Sequence, residues 1–106
     1  MKSIFGKRPV DIDLGPVSSF ERLPALVEIG TGFFYLTRQR KKWVLLSTLC
    51  PHQGGEVLWE ESTCEFVCPL HGWRFDACGK TDPGNPALRT YRVKEVQGRL
   101  WAKVTV

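Results

Sequence analysis

The sequence predicts a small all-β domain, an antiparallel sandwich or barrel around one core. Two observations predict this class. The chain has 106 residues, 42% of them hydrophobic, which is enough for one globular domain and one core. Its apolar residues form short runs rich in β-branched and aromatic side chains, and turn-forming Gly, Pro, Asn and Asp residues separate these runs at short intervals.

The chain divides into an N-terminal arm and a domain. Residues 1–16 are rich in Gly, Pro and charge and show no sustained period of 2 or 3.6, so we expect an irregular arm. Residues 17–106 form the domain. The segment Ser18–Leu26 can form only a short helical turn because Pro24 interrupts it. We predict strands at Ala25–Ile29, Gly32–Arg38, Trp43–Thr48, Glu65–Cys68, Trp73–Asp76, Arg89–Val93 and Arg99–Val104.

The patterns of two strands predict what they face. Four consecutive apolar residues, Trp43–Leu46, indicate a strand that is buried on both faces. The last strand alternates more clearly from Ala102 onward. Its residues Leu100, Ala102, Val104 and Val106 are expected to share one face of the sheet.

The charge distribution argues against nucleic acid and membrane partners. Fifteen Lys and Arg face eleven Asp and Glu, a net charge of +4. The one dense basic run, Arg38–Lys42, lies between two apolar segments where a hairpin tip is expected, and charge there favours solvation. No apolar run approaches the roughly 20 residues that span a bilayer. Because the first residues show no export signal, we expect a cytoplasmic protein.

The two histidines of the chain each follow a cysteine closely. The segments are Cys50-Pro51-His52 and Cys68-Pro69-Leu70-His71, with fifteen residues between His52 and Cys68. Each places one thiolate and one imidazole on a loop after a predicted strand, with glycine nearby. Two sulfur and two nitrogen ligands can hold a tetrahedral Zn²⁺ ion or a [2Fe–2S] cluster. The spacing alone does not distinguish these two alternatives.

The segments Cys50–Gly55 and Cys68–Asp76 together resemble the signature of the Rieske [2Fe–2S] family, and the resemblance extends from Phe20 to Val104. It implies a small antiparallel β-sandwich with two cluster-binding loops at one end and one [2Fe–2S] cluster per chain. Carried over to this sequence, the resemblance implies four ligands. These are Cys50 and Cys68 on the buried iron, and His52 and His71 on the outer iron.

Four positions separate this chain from Rieske proteins of respiratory complexes. Those proteins have two further cysteines, joined in a disulfide, where this chain has Gly55 and Leu70. They also have hydroxyl groups that bond to the cluster sulfurs where this chain has Trp73 and Phe75. Fewer donors to sulfur stabilise the reduced cluster less, so we expect a potential of roughly −150 to 0 mV. In this region the chain resembles Rieske ferredoxins and the N-terminal Rieske domains of ring-hydroxylating oxygenases.

The resemblance implies a one-electron carrier rather than an enzyme. We expect a monomeric ferredoxin that takes electrons from a flavoprotein reductase and passes them to a terminal oxygenase. No histidine remains for a catalytic mononuclear iron, and no G-x-G-x-x-G segment is present for a nucleotide. One alternative is a Rieske subunit or N-terminal domain of a larger oxygenase or nitrite-reductase-like enzyme. A zinc-binding module is another.

The resemblance also suggests how electrons leave the protein. The two imidazoles would lie partly exposed at the cluster end, and Trp73 would pack near the cluster. The residues expected to form a contact rim there are Pro51, Gln53, Leu70 and Pro86. Two cysteines lie outside the motif. We expect Cys64 and Cys78 to be structural free thiols, with a mutual disulfide as the alternative.

Overall fold

The computed structural model describes residues 9–51, 55–70 and 72–105, and every strand pairing in these ranges is antiparallel. They contain no α-helix, only a 3-10 turn at Val17–Ser19, and no helix there is long and apolar enough to span a bilayer. The strands are β1 (Pro9–Pro16), β2 (Ala25–Ile29), β3 (Gly32–Gln39), β4 (Lys42–Ser47), β5 (Leu58–Glu60), β6 (Glu65–Val67), β7 (Arg74–Phe75), β8 (Thr90–Val96) and β9 (Arg99–Thr105).

Six strands form one curled sheet in the order β1-β9-β8-β4-β3-β2. The curl is at β8, whose residues 90–92 pair with β4 while residues 93–96 pair with β9. Strands that pass from one sheet half to another in this way make the corners of β-sandwiches. The two halves face each other and enclose the first core, which contains Leu36 and Leu45 from one half and Leu100 from the other.

A second core lies on the opposite face of β3 and β4. There the three-stranded sheet β5-β6-β7 packs against Leu46, and Phe66 and Phe75 are fully buried. Leu45 belongs to the first core and Leu46 to the second, because successive side chains of a strand point to opposite faces. The prediction that Trp43–Leu46 is buried on both faces is therefore confirmed.

The all-β antiparallel class is confirmed, and each of the seven predicted strands is present with ends shifted by at most three residues. The basic run forms a hairpin tip, since β3 ends at Gln39 and β4 begins at Lys42. In the last strand, Leu100, Ala102 and Val104 lie together in the first core, as predicted. Val106 lies outside the described residues.

The prediction of an irregular arm over residues 1–16 is wrong for residues 9–16. These residues form β1, which pairs with β9 from Pro9 opposite Thr105 to Pro16 opposite Arg99. Its prolines stand at the two ends of an edge strand, where proline is tolerated. A bulge follows Asp13, where Gly15 has a φ of +116° and its N–H donates to Asp13 Oδ1 at 2.9 Å. Residues 1–8 lie outside the described part.

Strand β5 was not predicted either. It has three residues, and its position is defined by pairing with β6, in which Trp59 lies opposite Phe66. So short a segment carries too few residues for a recognisable alternation. The predicted short helical turn in Ser18–Leu26 corresponds to the 3-10 turn at Val17–Ser19.

Candidate metal centre

The segment after β4 forms a closed loop with Cys50 at its base. Leu49 and Glu56 form an isolated β-bridge, and the Val57 N–H donates to Thr48 O at 2.7 Å. The Cys50 N–H then donates to Gly55 O at 2.7 Å. We call residues 50–55 loop 1. These bonds fix the backbone of Cys50 and Gly55 at the two ends of the loop.

The segment between β6 and β7 is closed in the same way. The Cys68 N–H donates to Trp73 O at 2.8 Å, and the Gly72 N–H donates to Cys68 O at 2.8 Å. Gly72 has a φ of +72°, a left-handed conformation that glycine adopts without strain. We call residues 68–73 loop 2. In both loops the amide of the cysteine donates to the carbonyl five residues later, so the two loops have matching closures.

Loops 1 and 2 touch each other at Gly55. A Cβ atom added there would lie 2.7 Å from Leu70 Cδ1 and 3.4 Å from Cys68 Sγ. The first distance is shorter than van der Waals contact, so the absence of a side chain at position 55 lets the loops approach this closely. Positions 55 and 70 are thus in contact, as expected for the two positions at which respiratory Rieske proteins carry their disulfide.

Both cysteines of the motif are buried beside the second core. Cys50 is 2% exposed and Cys68 is fully buried, and they belong to one apolar cluster with Val57, Phe66 and Phe75. Trp73 packs against the same group of apolar side chains, and its expected position near the [2Fe–2S] cluster stays a prediction. Thiolates are soft ligands suited to iron–sulfur clusters, and an apolar surrounding excludes water from them. Two buried thiols at the bases of two touching loops fit the cysteine-ligated iron of a [2Fe–2S] cluster.

The other two cysteines lie outside loops 1 and 2. Cys64 is exposed in the turn between β5 and β6, where its Sγ lies 3.7 Å from Glu61 O, and Cys78 is half-buried after β7. Both are free thiols, as predicted. Among the residues described, no group of three or more metal-ligating side chains is found. His52 and His71, the remaining predicted ligands, lie outside that part of the chain.

Asp76, the last residue of the signature, shapes the turn that follows β7. Its Oδ1 accepts the N–H groups of Cys78 at 2.8 Å and Lys80 at 2.9 Å. The turn places Gly79 against the second core with a φ of +85°, where an added Cβ would lie 2.9 Å from Leu46 Cδ2. This role of Asp76 was not predicted, although Asp three residues before Gly is a recognisable turn signal.

A charged network joins the three strands of the small sheet on its surface. Arg74 Nη1 lies 3.0 Å from Glu60 Oε1 and 2.9 Å from Glu65 Oε1, and the Thr63 hydroxyl donates to Glu60 Oε1 at 2.8 Å. The hydrogen bonds from Thr63 and then Arg74 lower the pKa of Glu60, and the bond to Glu60 raises the pKa of Arg74. Because Arg74 directly follows loop 2, the network anchors that end of the loop.

The comparison with known proteins decides the family. The pattern of the Rieske [2Fe-2S] domain matches residues 12–96, most of the chain. The protein belongs to the Rieske [2Fe–2S] family. Membership establishes the [2Fe–2S] cluster as the cofactor and electron transfer as the general activity. It confirms the resemblance and the cofactor predicted from the sequence, and it removes the zinc-binding alternative.

Solved structures of Rieske proteins share the fold. The plasma membrane Rieske protein PetC3 from Synechocystis PCC 6803 superposes with a TM-score of 0.70 at 22% identity, covering 88% of this chain and 99% of that chain. The ferredoxin of carbazole 1,9a-dioxygenase from Nocardioides aromaticivorans IC177 gives a TM-score of 0.60 at 20% identity, covering 90% and 96%. At these identities the similarity shows the fold alone.

Curated relatives match a shorter part of the chain. The cytochrome b6-f complex iron-sulfur subunit of Synechococcus elongatus is 39% identical over 49 residues, which is 46% of this chain and 27% of that protein. This chain therefore spans only about a quarter of the length of that relative. The assignment of Cys50, His52, Cys68 and His71 as the cluster ligands stays a prediction.

The described residues of the predicted contact rim are all exposed. They are Pro51, Leu70 and Pro86, and Gln53 lies outside the described part. Leu49 and Leu58, which are 55% and 57% exposed beside loop 1, were not among the predicted residues. Their alternation with buried Thr48 and Val57 is the signal that could have identified them.

Proposed function

We propose that this protein is a low-potential Rieske-type ferredoxin that carries single electrons from a flavoprotein reductase to an oxygenase. When bound, the cluster accepts and releases one electron at a time. The proposal rests on the side chain at position 75, which lies close to loop 2. Phe75, whose ring is fully buried in the core that holds both cysteines, has no hydroxyl group to donate to a cluster sulfur. A low potential suits a carrier that supplies electrons for oxygen activation.

The contact between Gly55 and Leu70 supports the same proposal. Loops 1 and 2 are held together there by the packing of a leucine against a glycine rather than by a covalent bond. Leu70 is 59% exposed despite this contact. The absence of the disulfide that the resemblance associates with respiratory complexes separates this chain from them.

An apolar surface beside the loops supports a transient redox partner. Leu49 and Leu58 are both more than half exposed, on the two sides of the ladder that closes loop 1, and Leu70 is exposed on loop 2. Exposed apolar groups gathered at one end of a small protein are typical of interaction sites. Electron-transfer complexes form small interfaces, so a few leucines around the cluster end are sufficient.

The fold shared with a known ferredoxin also supports the proposal. The chain covers 96% of the dioxygenase ferredoxin with the same fold. The predicted reductase, oxygenase partner, monomeric state and cytoplasmic location all belong to this proposal. A second candidate is a Rieske subunit or domain of a larger complex, and the 39% identity to the cytochrome b6-f subunit favours it.

A redox titration of the holoprotein separates the two candidates. We expect a midpoint potential of roughly −150 to 0 mV, whereas a value near the upper end of the Rieske range, roughly +150 to +300 mV, would favour the cytochrome-type subunit. Reduction by a flavoprotein reductase and reoxidation by a Rieske oxygenase, followed by visible absorbance, then test the proposed direction of electron flow.

Two matched variants test the reason for the low potential. Phe75→Tyr adds a hydroxyl group close to loop 2. Phe66→Tyr adds the same group to the buried ring of β6 that lies opposite Phe75. We expect Phe75→Tyr to raise the potential and Phe66→Tyr to leave it unchanged, provided that both retain two irons per cluster. An unchanged potential in Phe75→Tyr would show that the missing hydroxyl does not set the potential.

A further inference from the structure

A groove opens in the curled sheet at the corner made by β8. Pairing between β4 and β8 ends at Val44 opposite Arg92, and β8 continues against β9 instead. The two strands therefore separate and leave a groove of about 960 Å³, with the turn after β7 as a further wall. It lies at the far end of β4 from loop 1, since Val44 precedes Cys50 by six residues, up to about 20 Å of extended chain.

The groove carries the excess positive charge of the whole protein. Five cations and one carboxylate, Asp11, line it, so the rest of the chain has ten basic and ten acidic residues. The five cations are Lys42, Lys80, Arg92, Lys94 and Lys103. No carboxylate in the described part of the chain forms an ion pair with any of them, whereas Arg74 and Arg99 are paired elsewhere on the surface. The groove is thus a site of uncompensated positive charge.

Backbone groups also face the groove. The Ser47 N–H donates to Arg89 O at 2.9 Å, and hydrogen-bonded positions recur at every second residue of an antiparallel ladder. The next such positions are Leu45 opposite Tyr91 and then Trp43 opposite Val93. The last pair of the ladder, Val44 opposite Arg92, is flanked by a hydrogen bond from the Val93 N–H to Trp43 O, so the Trp43 N–H and the Val93 carbonyl are the first groups to face the opening between the strands. Such groups can accept an added extended chain.

We propose that this groove is a docking site for an extended acidic segment of a protein partner. The cations would pair with its carboxylates, its backbone would bond to the open edges of β4 and β8, and the half-buried ring of Trp101 offers apolar contact. Nucleic acid is disfavoured because Asp11 lies among the cations and because open peptide edges match a peptide. Docking there leaves loops 1 and 2 uncovered, so it would raise the local concentration of a redox partner. The proposal does not depend on which partner receives the electron.

Two thiols of the protein provide the test. Cys78 lines the groove, whereas Cys64 is exposed on the small sheet outside it. The probe is a synthetic peptide that alternates Glu and Thr, and the control peptide has Gln in place of Glu. Alkylation of each cysteine in the holoprotein is followed by mass spectrometry. We expect the acidic peptide to slow the alkylation of Cys78 and not that of Cys64, and the control peptide to slow neither.

Charge reversal at matched positions locates the site. Lys94→Glu in the groove and Arg22→Glu outside it change the net charge equally, and both side chains are exposed. We expect Lys94→Glu to weaken peptide binding about fivefold and Arg22→Glu to leave it within twofold. Equal weakening by both variants, or no protection of Cys78, would overturn the proposal. If oligothymidylate slowed the alkylation of Cys78 more than the acidic peptide does, the proposal would be overturned in favour of nucleic acid.

Discussion

The closeness of loops 1 and 2 makes Gly55→Ala a sensitive test of the site. The added methyl group would lie 2.7 Å from Leu70 Cδ1, 3.1 Å from Leu70 Cγ and 3.4 Å from Cys68 Sγ. The contact with Cys68 is an ordinary one, so the clash is with Leu70, which is exposed and can rotate away in part. We therefore expect a cost at the low end of overpacking, about 1 kcal/mol, equivalent to a fall of about 4–8 °C in the midpoint of thermal cluster loss.

The assay is the thermal loss of visible cluster absorbance, with iron content measured before heating. Gly32→Ala is the matched control, because its nearest neighbour, Phe34 Cε1, would lie at an ordinary 3.4 Å, and we expect a change within about 0.5 kcal/mol. The double variant Gly55→Ala with Leu70→Ala removes both Leu70 atoms that clash. It should be more stable than Gly55→Ala alone. If the second substitution gives no recovery, the clash with Leu70 is not the cause and the reasoning fails.

Two further predictions concern the ligands and the acid stability. Cys50→Ser should abolish the native cluster because it replaces a buried thiol at the base of loop 1, while Cys64→Ser should keep the iron content and spectrum of the unaltered protein. Retention of the native spectrum in Cys50→Ser would refute the ligand assignment. The hydrogen bond from Arg99 lowers the pKa of Asp13 below its usual 3.8. The stabilisation of the fold by ionised Asp13 is therefore present above pH 3.8 and is lost as the pH falls through the lower pKa of the folded state. In urea titrations, the free energy of unfolding of the unaltered protein should therefore exceed that of Asp13→Asn by more at pH 7 than at pH 2. A difference that is independent of pH would contradict this prediction.

The local sequence determined much of the site. Cys50 and Cys68 each begin a continuous segment whose glycine or proline residues allow a tight loop. The N–H of each cysteine donates to a carbonyl within the same segment. The strands with long apolar runs were predicted for the same reason, since burial on one or both faces leaves a pattern in neighbouring residues. Trp43–Leu46 shows this most directly, because its two faces enter two different cores.

Tertiary structure decided what depends on residues far apart in the chain. Strand β1 exists through its pairing with β9, and its Asp13 bonds to Arg99, 86 positions later. The approach of Gly55 to Leu70 arises only after β5, β6 and β7 have packed against β4. The cationic groove likewise gathers residues of β1, β4, β8 and β9 that show no common pattern in the sequence. A contact between distant segments is set by the geometry of the folded sheet, so it leaves little trace in the local order of residues.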